Sequence, residues 1–95
     1  MLEKRIDWDP EKNLKLQEER GLSFERIYTA IDTGHLLEII PHSNPKYAHQ
    51  NVMVIDIDSY IVLVQFVESE DHIFLKTAFP SRKATKTYLS KRGKK

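Results

Sequence analysis

The sequence predicts an α+β domain with two N-terminal helices packed on a four-stranded antiparallel meander, a short N-terminal edge strand and a C-terminal basic helix. Apolar residues follow a helical spacing in the first third of the chain, whereas four short apolar runs separated by turn residues fill positions 36–79. Ninety-five residues suffice for one domain, spanning 1–95, with residues 91–95 as a frayed basic tail.

The N-terminal elements are predicted to be an edge strand and a surface helix. Residues 5–8 alternate weakly between polar and apolar side chains. Asp9 and Pro10 then suit the N-cap and the first position of a helix. Leu14 and Leu16 give this helix only a narrow apolar stripe, so we expect it to lie on the surface.

A second helix and four strands are predicted next. Ser23 can cap a helix that ends before Gly34 and packs on the core. Asp58 and Ser59 form a two-residue hairpin turn. Both parities of the strand over residues 60–67 are apolar, so we expect both sheet faces to be covered, the second by the C-terminal helix or by a partner chain. The predicted strands are 36–40, 50–57, 60–67 and 72–79.

A basic helix is predicted directly after the last strand. Pro80 cannot donate to a strand ladder, so the strand should end at Phe79, and Ser81 can cap a helix. Residues 81–95 contain seven Lys+Arg and no acid, a net charge of +7. Residues 1–80 contain eight Lys+Arg against fourteen Asp+Glu, a net charge of −6. This separation of charge favours a polyanionic ligand or an acidic partner.

The start of the basic helix predicts a phosphate site. Arg82 and Lys83 stand in its first turn, where the positive end of the helix dipole disfavours each cation by roughly 0.3–1 kcal/mol. Backbone N–H groups, the Ser81 hydroxyl and the two cations could converge on one phosphate. The alternative interpretation is a solvated terminal helix with a charged face.

Composition excludes several classes of function. The chain has no cysteine, which rules out disulfides and thiol catalysis and suits a reducing compartment. No apolar run reaches the roughly 18 residues of a membrane span, and the N-terminus lacks a signal-peptide core, so we expect a cytoplasmic protein without membrane contact. The histidines at 35, 42, 49 and 72 show no ligand spacing, so neither metal nor cofactor is expected.

Metal-free RNA cleavage is the reaction that this inventory of side chains could support. It needs a base for the 2′-OH proton, cations for the charge on phosphate, and an acid for the leaving oxygen. His42, Lys46, Tyr47 and His49 share one loop, and either His42 or Tyr47 could move protons. The alternative is that these are surface loop residues without a chemical role.

Four short motifs occur in a fixed order along most of the chain: IDWDPEKN, RGLSFE, HSNPKY and SRKAT. Together they resemble the BrnT-like toxins of bacterial type II toxin–antitoxin systems, which belong to the RelE-like group of ribonuclease folds. The resemblance implies a RelE-like fold and metal-independent mRNA cleavage that inhibits translation. It also implies neutralisation by a small DNA-binding antitoxin from a neighbouring gene. The expected assembly is a homodimer of this chain or a toxin–antitoxin heterocomplex.

Arg82 and Lys83 match the family pattern, whereas three other positions depart from it. Arg20 stands where a histidine is common, Thr77 beside Lys76 where an arginine is frequent, and Pro80 where a serine is usual. An acidic residue of the final helix is also missing. A BrnT-like binding module without catalysis, contacting nucleic acid or an acidic partner through the basic helix, is therefore the alternative function.

The candidate residues fall into two groups. The candidate catalytic residues are His42, Tyr47, Lys76, Arg82 and Lys83. The candidate nucleic-acid-binding residues are Lys46, Ser81, Lys86, Lys91 and Arg92.

Overall fold

The computed structural model describes residues 4–41, 44–47 and 50–93. A 3-10 turn at Pro45–Tyr47 lies between the second and third strands, and no helix of this described part is long and apolar enough to cross a membrane. The α+β class and the predicted order of elements are confirmed. The elements are β1 (Arg5–Trp8), α1 (Pro10–Arg20), α2 (Phe24–Asp32), β2 (Leu36–Pro41), β3 (Asn51–Ile57), β4 (Tyr60–Glu68), β5 (His72–Pro80) and α3 (Arg82–Gly93).

The sheet has five strands in the order β1-β5-β4-β3-β2. Strands β2 to β5 form the predicted antiparallel meander. However, β1 pairs in parallel with β5, with Arg5 opposite His72 and Trp8 opposite Leu75. The expectation of a four-stranded antiparallel sheet is therefore corrected to a five-stranded mixed sheet. The physical reason is the connection, because α1 and α2 carry the chain from one edge strand to the other and so permit a parallel β1.

The predicted signals at the ends of the first two helices are confirmed. Asp9 Oδ1 accepts a hydrogen bond from the Glu11 N–H at 3.1 Å, which caps α1. Gly21 ends α1 with φ 65°, a left-handed conformation that glycine adopts without strain. Ser23 Oγ accepts from the Arg26 N–H at 3.1 Å and caps α2.

The first face of the sheet carries the main core, under α1 and α2. Leu16 is buried, but Leu14 is 59% exposed, so the predicted apolar stripe of α1 is wrong at Leu14. Asn13 is buried instead, and its side chain links the helices by accepting from the Phe24 N–H and donating to Glu25, both at 2.8 Å. The core residues include Phe24, Ile27, Ile31, Met53, Ile55, Val62, Val64, Phe66, Ile73, Leu75 and Ala78.

The second face of the sheet is covered by α3 at one end only. Val54 and Ile61 are fully buried there, and the Tyr88 hydroxyl donates to Glu38 Oε1 at 2.9 Å. The chain's own helix, rather than a partner chain, thus covers this part of the face. The rest of the face is half-buried. Strand alternation places the following half-buried side chains on it: Leu63, Gln65, Val67, Phe74, Thr77 and Phe79.

Two local features of the meander refine the predicted strands. Asp58 and Ser59 have φ of 54° and 64°, as a two-residue hairpin turn requires, so that turn is confirmed. Strand β5 ends at Pro80 rather than at the predicted Phe79, with Pro80 opposite Val62. A proline is tolerated there because it is the last residue of the strand, where β4 is the only neighbouring strand in the described sheet.

Candidate nucleic-acid interface

The first turn of α3 is joined to β4 by hydrogen bonds. The Ser81 N–H donates to the Ile61 carbonyl, and the Ile61 N–H donates to Thr85 Oγ1, both at 2.9 Å. Thr85 Oγ1 in turn donates to the Ser81 carbonyl at 2.7 Å. The Ala84 N–H donates to Ser81 Oγ at 3.1 Å, so the prediction of Ser81 as the N-cap is confirmed. Helix α3 thus continues the hydrogen-bonding of β4 where β5 ends, which fixes the helix start on the sheet.

Cationic side chains project from this fixed start. Arg82, Lys83 and Lys86 are exposed, and the sequence of α3 contains no acidic residue. The first-turn amides of Arg82 and Lys83 have no intrahelical acceptor, because the first four N–H groups of a helix never have one. Cations and free amides at one helix end suit a phosphate. The backbone of Lys91 and Arg92 lies in the last turns of α3, which is helical to Gly93, and their side chains lie outside the described part.

Lys76 occupies a bulge in β5. Gln65 faces Thr77 and Phe66 faces Leu75, which leaves Lys76 without a partner on β4. The Lys76 ammonium lies 5.5 Å from the centre of the Phe74 ring. Bulges re-aim a side chain, and this one turns a lysine out of the sheet. An open depression of about 630 Å3 adjoins it, lined by Trp8, Asp9, Pro10, Lys12, Phe74, Leu75 and Lys76.

Arg20 is a cation that the sequence motifs marked only as a departure from the family pattern. Its Nη1 donates to the Ala78 carbonyl at 2.7 Å, and its guanidinium carbon lies 6.0 Å from the centre of the Phe79 ring. Strand β1 pairs with β5 only as far as Leu75, so Arg20 reaches a stretch of β5 that has no strand on its outer side. These contacts with β5 could not be predicted from the sequence. The position of Arg20 at the end of α1 is its one signal, and no sequence motif links α1 to β5.

The loop between β2 and β3 contains the remaining predicted residues. Lys46 is exposed, and its N–H donates to Asn44 Oδ1 at 2.9 Å. The backbone of Tyr47 lies in the 3-10 turn, whereas its side chain lies outside the described part. His42 and His49 lie outside the described residues.

The register of the sheet separates the two ends of the predicted site. The loop leaves the sheet at Asn51, which faces Phe66, whereas α3 begins beyond Pro80, which faces Val62. The two levels are four residue steps apart on β4, or about 13 Å along the strand at ~3.3 Å per residue. Lys76 stands at the bulge beside Phe66, so it lies at the level of the loop, whereas Arg82 and Lys83 follow the end of β5 at the other level.

The described histidines have local partners of their own. His72 Nδ1 lies 3.1 Å from both Asp71 Oδ1 and Ser69 Oγ, at the end of β5 farthest from α3. The hydrogen bond from His72 lowers the pKa of Asp71. His35 lies 3.3 Å from Thr33 Oγ1. Within residues 4–41, 44–47 and 50–93, no three His, Asp or Glu side chains cluster as metal ligands would.

The outer end of α3 contains a further perturbed group. The pKa of Tyr88 is raised, first by the hydrogen bond that its hydroxyl donates to Glu38 and then by partial burial. A tyrosine with a raised pKa is a weaker acid and stays neutral at physiological pH. The Tyr88 hydroxyl thus forms a contact between α3 and β2.

Comparisons of the chain with protein-family models, with curated proteins and with solved structures yielded no match.

Proposed function

We propose that this chain is a ribonuclease toxin of a bacterial type II toxin–antitoxin system, which cleaves mRNA without a metal ion and so inhibits translation. The supporting observation is the start of α3, where Ser81 and Thr85 fix the helix on β4 and leave Arg82 and Lys83 exposed beside free amides. The same two cations match the motif pattern of the family that the sequence resembles.

The proposed reaction is an attack within the RNA chain. A base, His42 or Tyr47, removes the proton of a 2′-hydroxyl, and the 2′-oxygen attacks the adjacent phosphorus. Arg82 and Lys83 hold the two non-bridging oxygens while negative charge builds on them, and Lys76 assists. An acid protonates the departing 5′-oxygen. The products are a 2′,3′-cyclic phosphate and a 5′-hydroxyl, so neither water nor a cofactor is consumed in this step.

The test is cleavage of a defined RNA by purified variants in the presence of a chelator. Arg82→Ala should reduce the rate by about 10²–10³-fold, because a preorganised donor to the developing charge is lost. Arg82→Lys should also lose activity, since lysine keeps the charge but lacks the planar fork that binds two phosphate oxygens. Arg26→Ala, which removes an exposed arginine paired with Asp58, is the control and should cleave normally. Equal rates for Arg82→Ala and Arg26→Ala would contradict the proposal.

A second candidate function is binding of nucleic acid or an acidic partner through α3 without cleavage. The observation that favours it is the register, because the loop with His42 and Tyr47 leaves the sheet about 13 Å from the level of the α3 start. Single variants His42→Ala and Tyr47→Phe distinguish the two functions. If the chain is a toxin, at least one of the two variants should lose RNA cleavage. If it is a binding module, neither the variants nor the wild type should cleave RNA.

The proposed toxin requires a partner that neutralises it, a small DNA-binding antitoxin from a neighbouring gene. Strand β2 is an open edge of the described sheet, with Leu37 38% and Ile39 44% exposed, and such an edge accepts a strand from another chain. Co-expression with the neighbouring gene should relieve growth arrest. Ile39→Lys should weaken that relief while leaving cleavage intact, because a charge on an edge opposes strand addition.

A further inference from the structure

Two aromatic rings on β5 each lie beside a cation. Phe74 has the Lys76 ammonium 5.5 Å from its ring centre, and Phe79 has the Arg20 guanidinium 6.0 Å from its ring centre. Both rings are half-buried on the second sheet face, and both cations are exposed. The geometry is that of a cation held against an aromatic platform, the combination with which proteins bind single-stranded nucleic acid.

The two pairs lie on one path along β5, on the second face of the sheet. The path begins at the depression beside Lys76, where Lys12 adds a cation and Asp9 an acid already engaged as the N-cap of α1. It continues along the stretch after Leu75, where β1 has ended and Arg20 reaches the Ala78 carbonyl. It then meets the basic start of α3, because the last residue of β5 is followed directly by Ser81 and the helix.

Arg20 is held in place before any ligand arrives. The hydrogen bond to Ala78 fixes one end of its guanidinium, so the plane rests near Phe79 with its remaining N–H groups available. Arginine planes stack nucleobases and donate to phosphate, whereas a lysine does only the second.

We propose that the second face of the sheet along β5 is a track for single-stranded RNA, in which the Arg20–Phe79 and Lys76–Phe74 pairs stack unpaired bases and lead the RNA to Arg82. This rests on the proposed function for the identity of the ligand and adds its class, an RNA whose bases are unpaired. A duplex keeps its bases inside the helix and cannot use these platforms.

The test is the affinity of the full chain for a fluorescent 12-nucleotide single-stranded RNA and for a 12-base-pair RNA duplex, measured by anisotropy at several salt concentrations in chelator. Phe79→Leu should weaken binding of the single strand about fivefold or more without altering the slope against salt, since stacking releases no counterions. Arg20→Lys should weaken it as well, although the charge is kept. Lys76→Ala should lower the salt slope. None of these changes should weaken duplex binding by more than the loss of one phosphate contact.

Two matched controls keep the result interpretable. Tyr60→Leu removes another exposed aromatic ring, and Arg26→Lys makes the same exchange at an arginine on α2. Both should bind as the wild type does. Phe79 is half-buried, so its variant is accompanied by a thermal melt, and the exposed Arg20→Lys gives the answer independently of folding.

Each outcome decides the matter. Wild-type affinity in both Phe79→Leu and Arg20→Lys overturns the track, and so does equal weakening of single strand and duplex. Selective loss for the single strand supports it. If the variants lose affinity for the single strand alone and the wild-type chain never cleaves RNA, the track is supported and the proposed ribonuclease function is refuted. Cleavage that depends on Arg82 but is unaffected by Phe79→Leu and Arg20→Lys refutes the track alone.

Discussion

The two faces of the sheet are held by different kinds of interaction. On the first face, α1 and α2 bury a continuous apolar cluster and share the buried Asn13 network. On the second face, α3 is held at its start by Ser81 and Thr85 and farther along by Tyr88, and its cations remain in water. The difference indicates that the first face supplies stability, whereas the second fixes exposed cations at the start of α3, which we propose bind RNA.

The largest stability effect is expected on the first face. Phe24 is fully buried, its ring lies 5.8 Å from that of Trp8, and its N–H donates to Asn13. Phe24→Ala should cost about 3–5 kcal/mol, because it leaves a cavity that the sheet cannot close. Urea denaturation measures it, with Tyr28→Ala as the control because Tyr28 is on the same helix and 47% exposed. A cost below about 1 kcal/mol for Phe24→Ala would contradict the assignment of stability to this face.

The next effect is expected at the polar link between α1 and α2. Asn13→Ala removes the acceptor of the Phe24 N–H and the donor to Glu25, so a buried amide is left unsatisfied. The expected cost is about 1–3 kcal/mol. Leu14→Ala, next to it on the exposed side of α1, should change the unfolding free energy by no more than about 0.5 kcal/mol. Similar urea midpoints for the two variants would show that the network contributes nothing.

A smaller effect on stability, with a larger one on activity, is expected for Thr85. Thr85→Val removes the acceptor of the Ile61 N–H, which should cost about 1 kcal/mol and loosen the start of α3. RNA cleavage should fall with it, because Arg82 and Lys83 lose their fixed position. Thr87→Val is a matched control, since Thr87 Oγ1 donates to the Lys83 carbonyl of its own helix. Cleavage that is equally fast in both variants would contradict the anchoring role of Thr85.

The smallest effect is expected for the contact between α3 and β2. Tyr88→Phe removes an exposed hydrogen bond to Glu38 and should cost no more than about 0.5 kcal/mol. The folded state raises the pKa of Tyr88 above its ordinary value of 10.0, so its contribution is present at neutral pH and is lost as pH rises through the raised pKa. The difference in melting temperature between wild type and Tyr88→Phe should therefore shrink above about pH 10. A difference in melting temperature that grows above about pH 10 would contradict a raised pKa of Tyr88 in the folded state.

Local signals in the sequence predicted most of the fold. Caps at Asp9 and Ser23, the turn at Asp58 and the order of elements are set by neighbouring residues, and the structure confirms them. The parallel pairing of β1 with β5 depends on residues more than 60 positions apart, and four weakly alternating residues carry no information about partner or direction. The burial of Asn13 could not be predicted either, because its hydrogen-bond partners lie on the next helix.

The candidate site was predictable only where it is continuous in sequence. Ser81, Arg82 and Lys83 follow the last strand directly, so strand-to-helix signals located them. Arg20 reaches β5 from α1, and a bulge turns Lys76 outward. Neither feature can be predicted from the order of residues along the chain. Register, which sets the distance between the loop of Tyr47 and the start of α3, is a property of the whole sheet.

The division between the two faces is tested most directly by one double variant, Arg82→Ala with Lys83→Ala, in which cleavage of a defined RNA and the melting temperature are measured on the same preparation. Both side chains are exposed, so we predict a melting temperature within about 4 °C of the wild type. The cleavage rate should fall by about 10²-fold or more. Full cleavage by the folded double variant would contradict the proposed role of the α3 start in catalysis.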